Sequence, residues 1–131
     1  MFILPKNKIF KIYYFYLLLL IPFSFLINLF YSNIGVFPID TFFHYDSAFR
    51  ILEKEYPIRD YWMVSGLVVD VIQAFFFKIF GTNWLAYTIH PSFFNCVITI
   101  ITYHYFTKNN VSEFKSFIFA FCFSVLAYTV S

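Results

Sequence analysis

Residues Ile9–Tyr31, IFKIYYFYLLLLIPFSFLINLFY, are apolar except at Lys11, Ser24 and Asn28. This stretch decides the fold. A helix needs about 20 residues to cross a hydrocarbon core roughly 30 Å thick, and these 23 suffice. A secretory signal would carry a shorter apolar core, about 7–15 residues, and a cleavage site between small residues. Here the run ends in Phe30-Tyr31-Ser32-Asn33, so it reads as a retained membrane helix. The whole composition agrees. Of 131 residues, 61% are hydrophobic and 12% charged, against about 25% charged in a soluble domain. That balance excludes a disordered chain, an ordinary soluble globule and a basic nucleic-acid binder, so no nucleic-acid partner is expected. Cys96 and Cys122 both sit in apolar runs, which gives neither a disulfide framework nor metal-ligand spacing. No cofactor is called for.

A second span is expected from Trp84 to Phe106, carrying His90, Pro91, Asn95 and His104. Those polar groups belong against other helices rather than lipid. A third apolar segment begins near Phe114 and is still apolar at Val130; it is expected to be a span cut short. Lysines set the orientation. Lys6, Lys8, Lys11, Lys108 and Lys115 flank the spans, with Glu113 as the single acid beside them. Residues 33–83 carry Arg50, Lys54, Arg59 and Lys78 against six carboxylates. The positive-inside rule therefore puts the N-terminus in the cytoplasm and 33–83 on the outer side of the cell membrane, the periplasm in the case of a Gram-negative bacterium. The expected class is an all-α membrane protein whose long external loop carries helices at the membrane surface.

Within that loop, Asp40 follows Pro38-Ile39 and opens a run free of Gly and Pro, so a helix is expected over about 40–53 with Asp40 as its cap. Asp40, His44 and Ser47 then share one face, and Asp46–Arg50 form a pair one turn apart. Ile58–Trp62 reads as extended. A second helix is expected over about 67–80, too short to span comfortably, with Lys78 in its last turn and Gly81 as its stop. Asp70 interrupts its apolar run and must be paired or turned to water.

Taken in order, Asp40, Ile51-Leu52, Tyr56-Pro57-Ile58-Arg59-Asp60 and Phe77-Lys78-Ile79-Phe80-Gly81 resemble the first outer loop of GT-C glycosyltransferases. The features quoted are typical of the bacterial branch related to lipid A aminoarabinose transferases and protein O-mannosyltransferases. Thr41 stands where many of those enzymes have a second acid, and Val64-Ser65-Gly66 replaces a proline-rich segment. The resemblance implies an integral-membrane enzyme that moves a sugar from a polyprenyl-phosphate donor to an acceptor at the outer membrane face. It implies Asp40 as the catalytic acid that orients or deprotonates the acceptor hydroxyl, with Arg59, Asp60 and His44 binding substrate. GT-C enzymes have many more helices, so these 131 residues are expected to form an N-terminal portion and to be inactive alone.

Plainer roles compete. Asp40 could serve only as a helix cap, His44 as a satisfied side chain, and Arg59-Asp60 as a brace for the loop. At the level of the whole protein, the alternatives are a small accessory subunit of a lipid-sugar flippase or transport complex, or an inactive gene fragment.

Overall fold

The computed structural model describes residues 6–35, 38–63 and 66–128. The continuation of the third apolar segment to Val130, and the Val64-Ser65 departure, lie outside the described residues. Five helices follow one another: α1 (Lys6–Tyr31), α2 (Pro38–Leu52), α3 (Leu67–Phe80), α4 (Trp84–Lys108) and α5 (Glu113–Tyr128). Among the described residues the sole β feature is a bridge between Pro57 and Tyr61. The chain is all-helical, and two segments, Lys11–Tyr31 and Trp84–Lys108, are long and apolar enough to cross a membrane. Helices α2 and α3 fill most of residues 33–83, close to the bounds of about 40–53 and 67–80 expected for them. Chain contacts divide the molecule into two compact units, one of residues up to Phe30 and from Ser92 onward, the other Tyr31–Pro91.

The first unit is built inside out. Ser24, Asn28, Ser92, Asn95, Thr99, Ser116 and Ser124 are buried, while Leu18, Leu26, Phe30, Ile101 and Leu126 are exposed. Small polar side chains let helix backbones approach closely, and large apolar ones suit a lipid surround. Asn95 is the centre of this packing. Its Nδ2 donates to the carbonyls of Ser24 and Ser124, both at 3.1 Å, so one amide joins α1, α4 and α5. Thr99 Oγ1 donates to Asn95 Oδ1 at 3.4 Å, and Cys96 Sγ donates to the Ile21 carbonyl at 3.3 Å. Nearer the α4–α5 turn, Leu20, Tyr103 and Ala120 form an apolar centre. There Tyr13 stacks on Tyr103 at 5.1 Å, and the Tyr103 hydroxyl donates to Glu113 at 2.7 Å.

Alanines make the core of the second unit. Ala48, Ala74 and Ala86 are buried with Phe77, and Tyr45, Ile51, Leu52 and Tyr87 pack around them. Three short side chains bring α2, α3 and the first turns of α4 together. The joints are specific. Asn83 caps α4 by accepting the Ala86 N–H at 2.9 Å, and its Nδ2 donates to the Phe80 carbonyl at the end of α3 at 2.9 Å. Gly81 between them has φ +82°, which a side chain would strain. Helix α2 ends in a Schellman motif: Glu55 N–H bonds to Arg50 O at 3.0 Å and Lys54 N–H to Ile51 O at 3.1 Å. The residue at the left-handed position is Lys54, φ +66°, where glycine is usual.

Candidate functional site

Helix α2 starts at Pro38, a residue suited to a first helical turn because its missing N–H would be unpaired there. Asp40 therefore stands inside the first turn rather than at the cap position. One turn on is His44, and its Nδ1 lies 2.6 Å from Asp70 Oδ1 in the first turn of α3. Asp70 is 1% exposed. A carboxylate so buried must be hydrogen-bonded, and the imidazole supplies that bond. The contact fixes the imidazole ring against the first turn of α3. Of the two alternatives the sequence left for Asp70, the paired one holds.

A cleft of about 190 Å³ opens beside this pair, between α2, the Tyr61-Trp62 segment and the start of α3. His44, Asp70, Ser47 and Arg50 line it, and Phe43, Tyr61 and Trp62 give it aromatic walls. Ser47 is 7% exposed, and its hydroxyl has no hydrogen-bond partner among the described residues. The Tyr61 hydroxyl donates to the Ser47 carbonyl at 3.3 Å, which ties the 56–62 turn to α2. Arg50 is committed on two sides, to Asp46 at 2.7 Å and Glu55 at 3.0 Å, and lies over the Tyr61 ring at 5.6 Å. Both carboxylates raise the guanidinium pKa further, chiefly through the hydrogen bond Arg50 donates to Asp46.

Arg59 and Asp60 grip each other. Arg59 Nε and Nη2 meet the two Asp60 oxygens at 2.8 and 2.7 Å, and the guanidinium covers the Tyr56 ring at 4.2 Å. Asp60 also accepts the Tyr56 N–H at 2.7 Å. The Arg59 bond first, then that backbone bond, hold the Asp60 carboxyl down at about 2. Ile58 takes φ +72° at the head of the turn, an uncommon conformation for a β-branched residue. Asp60 N–H to Tyr56 O and Ile58 N–H to Tyr61 O, both 2.9 Å, close it.

Of the expected site residues, then, His44 lines the cleft, and Asp40, Arg59 and Asp60 are not among its lining residues. Asp40 is exposed and makes no hydrogen bond or ion pair among the described residues. Ser47, Tyr61 and Trp62 join the site without having been singled out as functional. Tyr61 and Trp62 arrive through a turn whose signal, a left-handed Ile, no propensity rule reports. Elsewhere in the unit, His90 Nδ1 bonds Gln73 Oε1 at 2.7 Å while its ring stacks on Phe76. That is the helix–helix bonding role the sequence suggested. Among the described residues no group of three or more metal-binding side chains occurs.

Chemically, the cleft offers an oriented imidazole, a buried hydroxyl with bonding capacity left over, an aromatic wall and a cation already neutralised. Such an arrangement suits hydroxyl-bearing ligands better than anions. No family model, no curated protein and no solved structure matches the chain.

Proposed function

We propose that this chain is part of an integral-membrane GT-C glycosyltransferase, acting at the outer face of a bacterial cell membrane on a polyprenyl-phosphate-linked sugar. One observation carries the reading. Asp40, the Tyr56–Asp60 turn and the Phe77–Gly81 helix end follow one another, in the GT-C order, between two helices of membrane-crossing length. The inside-out packing of the first unit supports a lipid environment for those helices.

In this reading Asp40 receives the acceptor. An acid suits the first turn of α2, where the helix dipole favours negative charge. Its carboxylate takes the proton of the acceptor hydroxyl, whose oxygen attacks the anomeric carbon. The bond from that carbon to the phosphate oxygen breaks, and polyprenyl phosphate leaves with the electron pair. Arg59 and Asp60 keep the 56–62 turn in shape, because each is the other's principal partner.

Deletion of the gene carrying this sequence tests the reading in the source cell. The polyprenyl-phosphate sugar consumed by the enzyme should accumulate, and the wild-type gene should return it to normal. Asp40→Asn should insert to the same level yet fail to restore consumption. Lipid-linked sugar pools unchanged by the deletion would refute the assignment.

A further inference from the structure

We propose that the lysine-bearing end of the first unit is a binding site for the headgroup of an anionic phospholipid, formed by Lys11 of α1, Lys108 of α4 and Lys115 of α5. The proposal rests on a lipid surround for these helices and not on the transferase assignment.

Three observations lead to it. The first is that three helix ends meet. Tyr13 stacks on Tyr103 at 5.1 Å, and its hydroxyl lies 3.2 Å from His104 Nδ1. The Tyr103 hydroxyl in turn donates to Glu113 at 2.7 Å. Lys11 stands two residues before Tyr13, Lys108 one helical turn after His104, and Lys115 two residues after Glu113. Three cations from three helices are thereby carried to one end of the unit.

The second is that these cations are uncommitted. Lys11, Lys108 and Lys115 are exposed, and none makes an ion pair among the described residues. Glu113, the acid beside them, already accepts from Tyr103. A lysine in the last turn of a helix often serves the final carbonyls, but here other groups meet them. Thr107 Oγ1 donates to the His104 carbonyl at 2.9 Å, Asn109 Nδ2 to Tyr105 at 2.7 Å, and the Val111 N–H to Phe106 at 3.1 Å. The Lys108 ammonium is left for an outside partner.

The third is what lies beneath each lysine. On α1 the exposed face runs Lys11, Tyr14, Leu18; on α4 it runs Lys108, Tyr105, Ile101. On α5 exposed Phe114 flanks Lys115, and Ile118 follows. Residues three or four apart share a helix face, so each helix presents a cation, then an aromatic ring, then an aliphatic chain. A phospholipid offers the same order in depth: anionic phosphate, interface, acyl chain. Aromatic rings favour the level of the headgroups, and lysines near helix ends reach outward from it. A dissolved anion would account for the lysines alone, and not for the apolar steps below them.

Lipid selection by the inserted chain reads the site. The chain is placed in nanodiscs of phosphatidylcholine mixed with phosphatidylglycerol. Trp62→Phe and Trp84→Phe remove the native tryptophans, and Tyr14→Trp supplies a reporter. One lipid at a time carries brominated acyl chains, and quenching of the tryptophan at position 14 gives the association constant of phosphatidylglycerol relative to phosphatidylcholine. That ratio should be about five at low salt and fall as salt is added. In the Lys11→Gln, Lys108→Gln, Lys115→Gln triple variant it should drop toward one, while quenching by brominated phosphatidylcholine persists and shows that the chain is still inserted. Lys54→Gln with Lys78→Gln, distant in sequence from the site, should leave the ratio unchanged. Millimolar inorganic phosphate should not relieve the quenching by phosphatidylglycerol. A wild-type ratio of one would overturn the proposal and leave the lipid surround standing, whereas a chain that does not enter nanodiscs would overturn both. A ratio unchanged in the triple variant would remove the three lysines from the site, and relief by phosphate would make the ligand a soluble anion instead.

Discussion

His44 Nδ1 and Asp70 Oδ1 stand 2.6 Å apart across 26 positions of sequence, joining the middle of α2 to the first turn of α3. The bond does two things. It satisfies a carboxyl group that burial would otherwise penalise, and it fixes the orientation of the imidazole ring at the cleft. Position and chemistry of the cleft both follow from this contact.

Removing the imidazole should be costly. His44→Ala leaves Asp70 buried without its partner, and unfolding should become easier by about 3 kcal/mol. Asp70→Asn in the same chain removes the charge, so the double variant should recover part of that loss. Denaturant unfolding in bicelles, followed by far-ultraviolet circular dichroism, measures both. Equal stability of wild type and His44→Ala would show that the pair contributes nothing to the fold.

Asn83 closes one helix and opens the next. Asn83→Ala should cost about 1 kcal/mol, the usual worth of an N-cap. Asn83→Asp keeps the acceptor for the Ala86 N–H and loses the donor to Phe80 O, so its effect should be smaller. Amide exchange at Ala86 should accelerate in the alanine variant and stay slow in the aspartate one.

Two left-handed residues without glycine's freedom invite stabilisation. Lys54→Gly and Ile58→Gly, at φ +66° and +72°, should each gain stability, by about 0.5–1 kcal/mol at the helix end and up to about 1 at the turn. Thermal unfolding of each variant checks the sign. A lower midpoint for both would mean the turns owe their shape to packing rather than to local conformation.

Acid should leave the 56–62 turn intact longer than ordinary carboxylates would allow. The Asp60 carboxyl, held at about 2 by Arg59 and well below the usual carboxylate range, contributes stability that is fully present above pH about 4. That contribution is lost as pH falls through about 2. Carbon-13 titration of the carboxyl resonances should show the low midpoint, and Arg59→Gln should move it back toward the ordinary value.

Orientation is open to chemical test. In a Cys96→Ser, Cys122→Ala background, Ile58→Cys places a thiol at a position 81% exposed. The lysine distribution predicts that an impermeant maleimide labels it in intact spheroplasts. Labelling that appears only after lysis would place residues 33–83 on the cytoplasmic side.

The helices were legible because their signals are local. Long, mostly apolar runs mark α1 and α4, and Gly81 with Lys78 marks the end of α3. Asp70 was legible as an anomaly, an acid in an apolar stretch that required a partner. Which partner was not, since nothing near position 70 in sequence points to position 44. Ser47 carried even less signal: a lone serine in a Phe-rich helix is ordinary until the fold buries its hydroxyl. Arg59-Asp60 looked like a substrate clamp by resemblance, but adjacent residues of opposite charge can also satisfy each other, and here they do.

The Asn95 amide has a bearing on how the protein is made. Its two N–H groups reach α1, synthesised before it, and α5, synthesised after it. In a bilayer the bond to Ser24 can form as soon as α4 is threaded in, whereas the bond to Ser124 must wait for the ribosome to deliver another helix. During that interval one donor is unmet in an oily surround, so the partly built pair is kept from settling early. Arrival of α5 completes the set.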